Sequence, residues 1–319
     1  MYARITGTGM YLPERVLTNF DLEAMVDTSD EWIRTRTGIE RRHVVADGEF
    51  TSDLAYHASR AAIEDAGIEP GDIDFILVGT TTPDLIFPNV GCLVQERLGI
   101  HGTPAFSLEA ACSGFLYALG VADQFVRGGQ AKRALVVGAE TMSRIIDWTD
   151  RETCVLFGDG AGAVVLEQAE TPGIMYSNLG SDGRYRDLLY AANGVSVLPK
   201  EGEGAALRMK GNEVFKVAVK TLGGMVDEVL EKNGLEKGEI DWLIPHQANI
   251  RIIQAMAKRL RMPMERVILT IQEHGNTSAA SVPMALDTAI RDGRVKRGDL
   301  LLLEAFGGGF TWGASLVRY

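Results

Sequence analysis

Cysteine, histidine, positive charge and long apolar runs are all in short supply. The three cysteines, Cys92, Cys112 and Cys154, are odd in number and far apart, with no CxxC pair and no clustered histidines among the five. That excludes a disulfide scaffold and a zinc site of ordinary spacing, and it fits free thiols in a reducing compartment. No charge-free stretch approaches the ~18 residues of a membrane span. The start, Met1-Tyr-Ala-Arg-Ile-Thr-Gly-Thr-Gly, has no basic segment leading into an apolar one, so the expectation is a soluble, cytoplasmic chain. Lys and Arg total 32 against 43 Asp and Glu, a net charge of −11, which argues against nucleic acid or an anionic membrane as the main partner. No Pro/Ser-rich linker or low-complexity block divides the 319 residues.

What is plentiful is glycine, 36 residues, above the usual share and a sign of many tight turns and close backbone approaches. The hydrophobic fraction of 46% and charged fraction of 24% belong to an ordinary globular chain with a sizeable core. Internal similarity supplies the organisation. Gly67-Ile-Glu-Pro-Gly-Asp-Ile-Asp-Phe-Ile-Leu-Val78 aligns with Gly234-Leu-Glu-Lys-Gly-Glu-Ile-Asp-Trp-Leu-Ile-Pro245, an offset of 167 (234 − 67), and each follows a helical stretch. Lys132 to Gly138 resembles Lys296 to Leu302, and Gly160 to Val165 resembles Trp312 to Val317. Three pairs in the same order imply two copies of one α/β unit, residues 1–172 and 173–319, with helices between two sheets. The short apolar runs at Phe75 to Val78, Leu135 to Val137 and Leu300 to Leu303 suit strands buried on both faces, as in parallel sheets.

Pro104 to Leu108 reads as a strand, and Phe115, Leu116, Leu119, Ala122, Phe125 and Val126 follow at helical spacing up to Gly128-Gly129. Cys112 therefore falls at a strand-to-helix turn. The helix dipole there predicts a thiol pKa below the free value near ~8.5, and the apolar helix predicts a nucleophile at the floor of a tunnel. The second half offers a matching turn, Gln272-Glu-His-Gly-Asn276-Thr-Ser-Ala-Ala, before a helix carrying Val282, Leu286 and Ile290; the offset of 164 (276 − 112) sets Asn276 beside Cys112. His246 follows the predicted strand Ile240 to Ile244 at its C-terminal end, where α/β sheets place ligand-binding groups. His43, His57 and His101 stand in polar or turn contexts, His274 reads as a turn residue, and Cys92 and Cys154 read as buried structural thiols. Thiol, imidazole and carboxamide together serve two chemistries: a papain-like Cys-His-Asn hydrolase, or a Claisen-type condensing enzyme whose His and Asn donate to a thioester oxygen that becomes enolate-like.

The motifs Asp30-Glu-Trp32-Ile-Arg-Thr-Arg36-Thr-Gly-Ile39, Ala110-Ala-Cys112-Ser-Gly-Phe115, Phe157-Gly-Asp-Gly-Ala-Gly162, His246-Gln-Ala-Asn249, His274-Gly-Asn276-Thr-Ser-Ala-Ala-Ser281 and Gly307-Gly-Gly-Phe-Thr-Trp-Gly313 jointly resemble the β-ketoacyl-acyl-carrier-protein synthase III family over essentially the whole chain. The resemblance implies the duplicated, five-layered αβαβα thiolase-like fold and a homodimer. It implies a ping-pong reaction without metal or redox cofactor. Cys112 takes an acetyl or similar acyl group from acyl-CoA, and His246 and Asn276 stabilise the enolate of decarboxylating malonyl-acyl-carrier protein, with the backbone N–H groups of Cys112 and Gly308 as oxyanion hole. It further implies that Trp32 and Arg151 sandwich the CoA adenine, Arg36 meets phosphate, Asn249 and Gly211 line the pantetheine tunnel, and Phe87 closes the partner subunit's acyl pocket. For the carrier protein, Arg251 and Lys258 lie seven apart on one helical face, with Arg259 adjacent and Lys216 on a preceding helix; a basic patch on an acidic protein suits an acidic partner. A same-fold synthase of secondary metabolism, making a quinolone or polyketide starter, is the rival reading, with the hydrolase far behind.

Overall fold

The computed structural model describes residues 1–192, 194, 196 and 206–319. In chain order come β1 (Tyr2–Tyr11), a small ladder of β2 (Val16–Thr18) and β3 (Arg41–His43) enclosing helices α1 (Asn19–Glu23) and α2 (Asp30–Thr37), then α3 (Thr51–Asp65), β4 (Phe75–Gly79), α4 (Val90–Arg97), β5 (Ala105–Leu108), α5 (Gly114–Arg127), β6 (Arg133–Thr141) and β7 (Asp159–Ala169). There follow β8 (Ile174–Ser181), the short pair β9 (Leu189–Ala191) and β10 (Leu207–Met209), α6 (Gly211–Asn233), β11 (Trp242–Pro245), α7 (Ile250–Leu260), α8 (Ile271–His274), α9 (Ser281–Arg291), β12 (Leu300–Gly307) and β13 (Thr311–Arg318).

The first sheet has the order β1-β7-β6-β4-β5 and the second β8-β13-β12-β11, the same path walked twice. The outer edge of β11, where the first sheet has β5, carries among the described residues only a single parallel bridge, Leu243 to Val267. The sheets are mixed rather than parallel as expected: β4 runs parallel to β5 and β6, and β11 to β12, but β6–β7, β7–β1, β12–β13 and β13–β8 are antiparallel. Strands buried on both faces carry the same apolar run in either direction, so composition does not report polarity.

Helices α3 and α4 cover the outer face of the first sheet, α6 and α7 lie beyond the second, and α5 and α9 each touch strands of both sheets. That is the five-layered αβαβα stack. Its central layer is closely packed: Leu116, Leu119 and Leu286 meet Leu77, Val136, Leu301 and Leu303 in one buried cluster. The sheet admits the second-half turn only through glycine, since a Cβ on Gly138 would lie 2.3 Å from the Ala279 carbonyl oxygen.

The duplication is visible at single-residue resolution. Each central helix is preceded by a 3-10 turn, Ala111–Ser113 before α5 and Ser278–Ala280 before α9. Both turns open on a non-glycine residue in the left-handed region, Ala111 at φ 46° and Ser278 at φ 49°, a separation of 167 (278 − 111). Glu109 and Asn276, each two residues earlier, accept from these residues' N–H groups at 2.8 and 2.9 Å. This corrects the expected alignment: the structural counterpart of Cys112 is Ala279, and Asn276 corresponds to Glu109. Asn276 reaches the centre from the approach to the turn, not from the helix start itself.

Candidate active site

A single cavity of about 630 Å³ is lined by Cys112, His246 and Asn276 together with Trp32, Arg36 and Arg151. Cys112, His246 and Asn276 are buried, whereas Arg36 and Arg151 are exposed, so the space runs from the surface to the thiol. Gly211, Asn249 and Arg251 also line it.

Cys112 sits in the 3-10 turn two residues ahead of α5. Its backbone N is approached so closely by β12 that a Cβ on Gly307 would lie 2.5 Å away. The close approach is thus at Gly307, while Gly308 stands beside the Leu189 carbonyl and Ala111. The expectation of an acidified thiol fails. Burial, assisted by the charges of Glu140 and Glu109, pushes the Cys112 thiol up to about 12, against the lowering effect of hydrogen bonds from Ser278 and its own backbone. The resting group is a neutral thiol, because desolvation outweighs what a helix start can offer.

Asn276 is fixed on every side but one. Its N–H donates to Leu156 O at 2.9 Å, its carbonyl accepts from Gly158 N at 3.0 Å, and its Oδ1 accepts from Ser278 N. Because Ser278 N–H can only donate, the remaining Nδ2 hydrogens are the ones left for the cavity. His246 is held similarly. Its N–H donates to Glu304 O at 2.7 Å, and Nδ1 lies 2.5 Å from Ser281 Oγ, which also accepts from Gln247 N at 3.2 Å. With Nδ1 engaged by Ser281 Oγ, Nε2 is the ring nitrogen left for the cavity, and it carries the hydrogen in the tautomer in which Ser281 donates to Nδ1. Burial pulls His246 down to about 3, so the imidazole is neutral. Both side chains thus line the one cavity as uncharged groups.

The other expected residues fall as follows. Trp32 rides on α2, whose first turn Ser29 caps by accepting from Trp32 N at 3.2 Å; the Arg36 and Arg151 guanidinium carbons lie 4.9 and 4.8 Å from its ring centroid. Arg151 thus occupies the stacking position over Trp32, anchored to Asp27 O at 2.8 Å. Asn249 caps α7, its Oδ1 accepting from Arg251 N at 2.9 Å, and its amide hydrogens have no partner among the described residues. Lys216, Arg251 and Lys258 are exposed without an acidic partner among the described residues, and Arg251 lies 5.0 Å from the Phe215 ring. Arg259 differs, being engaged by Asp227 of α6 with Nε 3.2 Å from Oδ1. Phe87 does not line this cavity and is 83% exposed, beside exposed Leu85 and Ile86. Cys154 is buried; Cys92 is only half-buried, against the expectation, with Sγ 3.4 Å from Ala105 O.

Sequence reasoning missed several participants. Gln247 is a buried clamp: Nε2 donates to Pro245 O and Ile268 O, and Oε1 accepts from Thr270 N and Ile271 N, tying the His246 loop to the approach to α8. Glu304 lines the cavity at 1% exposure, pushed up to about 8 by burial, with Oε2 unpartnered among the described residues. The signal for Gln247 was its place inside the His246-Gln-Ala-Asn249 motif; Glu304 carried one as the lone charge in an apolar strand. No group of three or more potential metal ligands occurs among the described residues, and no helix of these is long and apolar enough to cross a membrane.

A duplicated αβαβα body that brings a buried thiol and two neutral N–H donors to the end of one channel defines a thiolase-like condensing acyltransferase. Family models described as 3-oxoacyl-[acyl-carrier-protein (ACP)] synthase III match residues 106–183, and as its C terminal part residues 230–319. A beta-ketoacyl-[acyl-carrier-protein] synthase III from Thioalkalivibrio sulfidiphilus (strain HL-EbGR7) is 64% identical over 321 residues, covering 100% of this chain and 99% of its own. The crystal structure of 3-oxoacyl-[acyl-carrier-protein] synthase III from Aquifex aeolicus VF5 superposes with a TM-score of 0.94 at 50% identity, over 99% of this chain and 100% of that one. The priming beta-ketosynthase of the R1128 polyketide biosynthetic pathway superposes with a TM-score of 0.95 at 36% identity, over 99% and 96%. The chain belongs to the β-ketoacyl-acyl-carrier-protein synthase III family.

Proposed function

We propose that this chain carries out the initiating condensation of fatty-acid synthesis, joining a short acyl group from acyl-CoA, acetyl above all, to malonyl-acyl-carrier protein with release of CoA and CO2. The observation that carries the reading is the continuous cavity joining the Trp32–Arg36–Arg151 mouth to Cys112, His246 and Asn276. CoA binds with its adenine against Trp32, Arg151 swinging off the ring to close over it, and with phosphate at Arg36; Asn249 and Gly211 flank the pantetheine. Cys112 Sγ attacks the thioester carbon, and CoA leaves as the second substrate's predecessor. The Cys112 and Gly308 N–H groups receive the oxyanion, a donor of this kind being worth about 3 to 4 kcal/mol.

Malonyl-acyl-carrier protein then docks on Lys216, Arg251, Lys258 and Arg259. Loss of CO2 leaves an enolate whose oxygen takes hydrogen bonds from His246 Nε2 and Asn276 Nδ2, and its carbon attacks the acyl-Cys112 carbonyl. Neutral donors suit this task, since a charged imidazolium would be costly in the buried site. The reaction as written uses no cofactor, acyl-CoA being a substrate. The exposed Leu85-Ile86-Phe87 tip supports a homodimer in which Phe87 closes the acyl pocket of the second copy. The duplicated halves are taken as residues 1–172 and 173–319, and the setting as the cytoplasm.

A polyketide-priming role shares this fold, so product chemistry decides between the two. Incubation with acetyl-CoA followed by peptide mass spectrometry is expected to find acetyl on Cys112, and malonyl-acyl-carrier protein is expected to convert it to acetoacetyl-carrier protein. An unlabelled Cys112 would overturn the reading. A panel of primers from acetyl to octanoyl, with acetyl disfavoured, would shift it to the starter-unit role.

A further inference from the structure

One side chain of the first half reaches across to hold a turn of the second. Strand β6 packs against the 3-10 turn Ser278–Ala280, and two of its residues, on one face because they stand two apart, meet that turn. At Gly138 the missing side chain leaves room for the Ala279 carbonyl oxygen, 2.3 Å from where a Cβ would lie. At Glu140 the side chain takes a hydrogen bond from the Ser278 hydroxyl, Oγ to Oε1 at 3.1 Å. Both residues are buried, and both lie outside the lining of the cavity. A buried carboxylate is costly unless donors meet it, and Glu140 has them on the loop after β4: Thr81 N at 3.1 Å, Thr81 Oγ1 at 3.0 Å, Thr82 Oγ1 at 2.6 Å and Thr80 Oγ1 at 3.3 Å. Thr80 and Thr82 are themselves held, Thr80 Oγ1 accepting from Thr82 N at 3.1 Å and Thr82 Oγ1 from Thr141 N at 2.8 Å. Glu140 is therefore a fixed post, and Ser278 is tied to it.

The duplication supplies the comparison that shows what this tie is for. The equivalent turn of the first half opens on Ala111 at φ 46°, where Ser278 stands at φ 49°, and Glu109 accepts from Ala111 N just as Asn276 Oδ1 accepts from Ser278 N. Alanine thus suffices to form the turn, and the Ser278 hydroxyl adds only the bond to Glu140. What the second turn carries and the first does not is a cavity-lining side chain, the Asn276 carboxamide. The Asn276 backbone is anchored to Leu156 and Gly158. Its carboxamide is oriented, among the described residues, by Ser278 N alone.

We propose that Glu140 is a positioning residue for Asn276: through Ser278 it fixes the turn that orients the Asn276 carboxamide, so that a side chain of the first half sets a hydrogen-bond donor of the second. Glu140 and Ser278 touch no substrate and act only through Asn276. The effect falls on the half-reaction that uses the carboxamide, the decarboxylation of malonyl-acyl-carrier protein, where a small misalignment of a donor is paid in rate rather than in binding. The proposal rests on the reading of Asn276 as a donor to the enolate oxygen.

The test is a double-mutant cycle on the full-length protein, read as steady-state decarboxylation of malonyl-acyl-carrier protein. Glu140→Gln keeps the shape of the side chain but sets an amide NH2 against a donor on whichever side it falls, because Thr81 N lies 3.2 and 3.1 Å from the two oxygens. It is expected to lower kcat about tenfold with KM within twofold of wild type. Ser278→Ala, which removes only the hydroxyl, is expected to do the same. In an Asn276→Ala background each is expected to change kcat less than twofold, since no carboxamide is left to orient; a general disturbance of the fold would cost the same factor in both backgrounds. If Glu140→Gln does not fold, Ser278→Ala decides alone, alanine being the residue the first-half turn already carries. Equal losses in the two backgrounds, or kcat within threefold of wild type for the single variants, overturn the proposal. An Asn276→Ala variant that decarboxylates like wild type overturns instead the role of Asn276 on which it rests.

Discussion

Cys112, His246 and Asn276 line one cavity, and in the proposed reaction the absence of charge at rest is what divides their labour. His246 and Asn276 are each held by a hydrogen bond on one side, leaving Nε2 and Nδ2 for the cavity; neither needs Cys112 for that. Cys112→Ala is therefore expected to lose acetylation and condensation completely while retaining measurable malonyl decarboxylation, followed by release of CO2; retained condensation would refute the assignment. His246→Ala is expected to lower decarboxylation at least 100-fold, with acetylation of Cys112 down less than tenfold, measured as separate half-reactions; equal losses would dissolve that division. That Cys112, His246 and Asn276 share one cavity was legible because each stands at the end of a strand or the start of a turn within a repeated pattern. The thiol's acidity was misread because the helix-start argument leaves out desolvation, and no sequence rule reports how dry a turn will be. Ser278, Ser281, Gln247 and Glu140 stayed hidden for the same reason: their roles are hydrogen bonds across 21 to 138 residues of chain.

At the scale of elements, the repeat was readable and the strand directions were not. The β12–β13 connection offered a signal, since the register closes at Gly307 opposite Thr311, a tight turn that only antiparallel strands can use. What the two sheets and the central helices require is closeness. Gly138→Ala would drive a methyl group against the Ala279 carbonyl, which belongs to the turn ahead of α9 and has little freedom to move. The expected cost is about 1 to 3 kcal/mol, read as a lower urea midpoint with an unchanged slope, and no change at all would mean that the turn yields. Helix α2 offers a second case. Its Ser29 cap and Gly38 end at φ 84° hold Trp32 against two guanidinium groups. Trp32→Ala is expected to raise KM for acetyl-CoA about tenfold, roughly 1.4 kcal/mol, and to leave acetyl-pantetheine, which has no adenine, nearly unaffected. Equal effects on both would place the loss in folding of α2 rather than in stacking.

Over the whole molecule, an overall charge of −11 ought to repel an acidic carrier protein, so the local distribution has to reverse the sign where docking occurs. Arg251 and Lys258 project from α7 two turns apart, and Lys216 from α6, all exposed; Arg251 also lines the cavity entrance. Arg259 is a weaker candidate than its sequence position suggested, because Asp227 already neutralises it. Arg251→Glu and Lys258→Glu are each expected to raise KM for malonyl-acyl-carrier protein about tenfold at low ionic strength, while the KM for malonyl-CoA stays within twofold. Arg259→Glu is expected to do less to the carrier-protein substrate, and to cost some stability by setting a carboxylate against Asp227, which keeps only Lys237 at 3.8 Å. Because these contacts are exposed, the penalties should shrink as salt rises and the Debye length falls from about 10 Å at 0.1 M toward about 3 Å at 1 M. Penalties that persist at high salt, or that appear equally with malonyl-CoA, would mean that the charges act on the channel itself and that the carrier protein docks elsewhere.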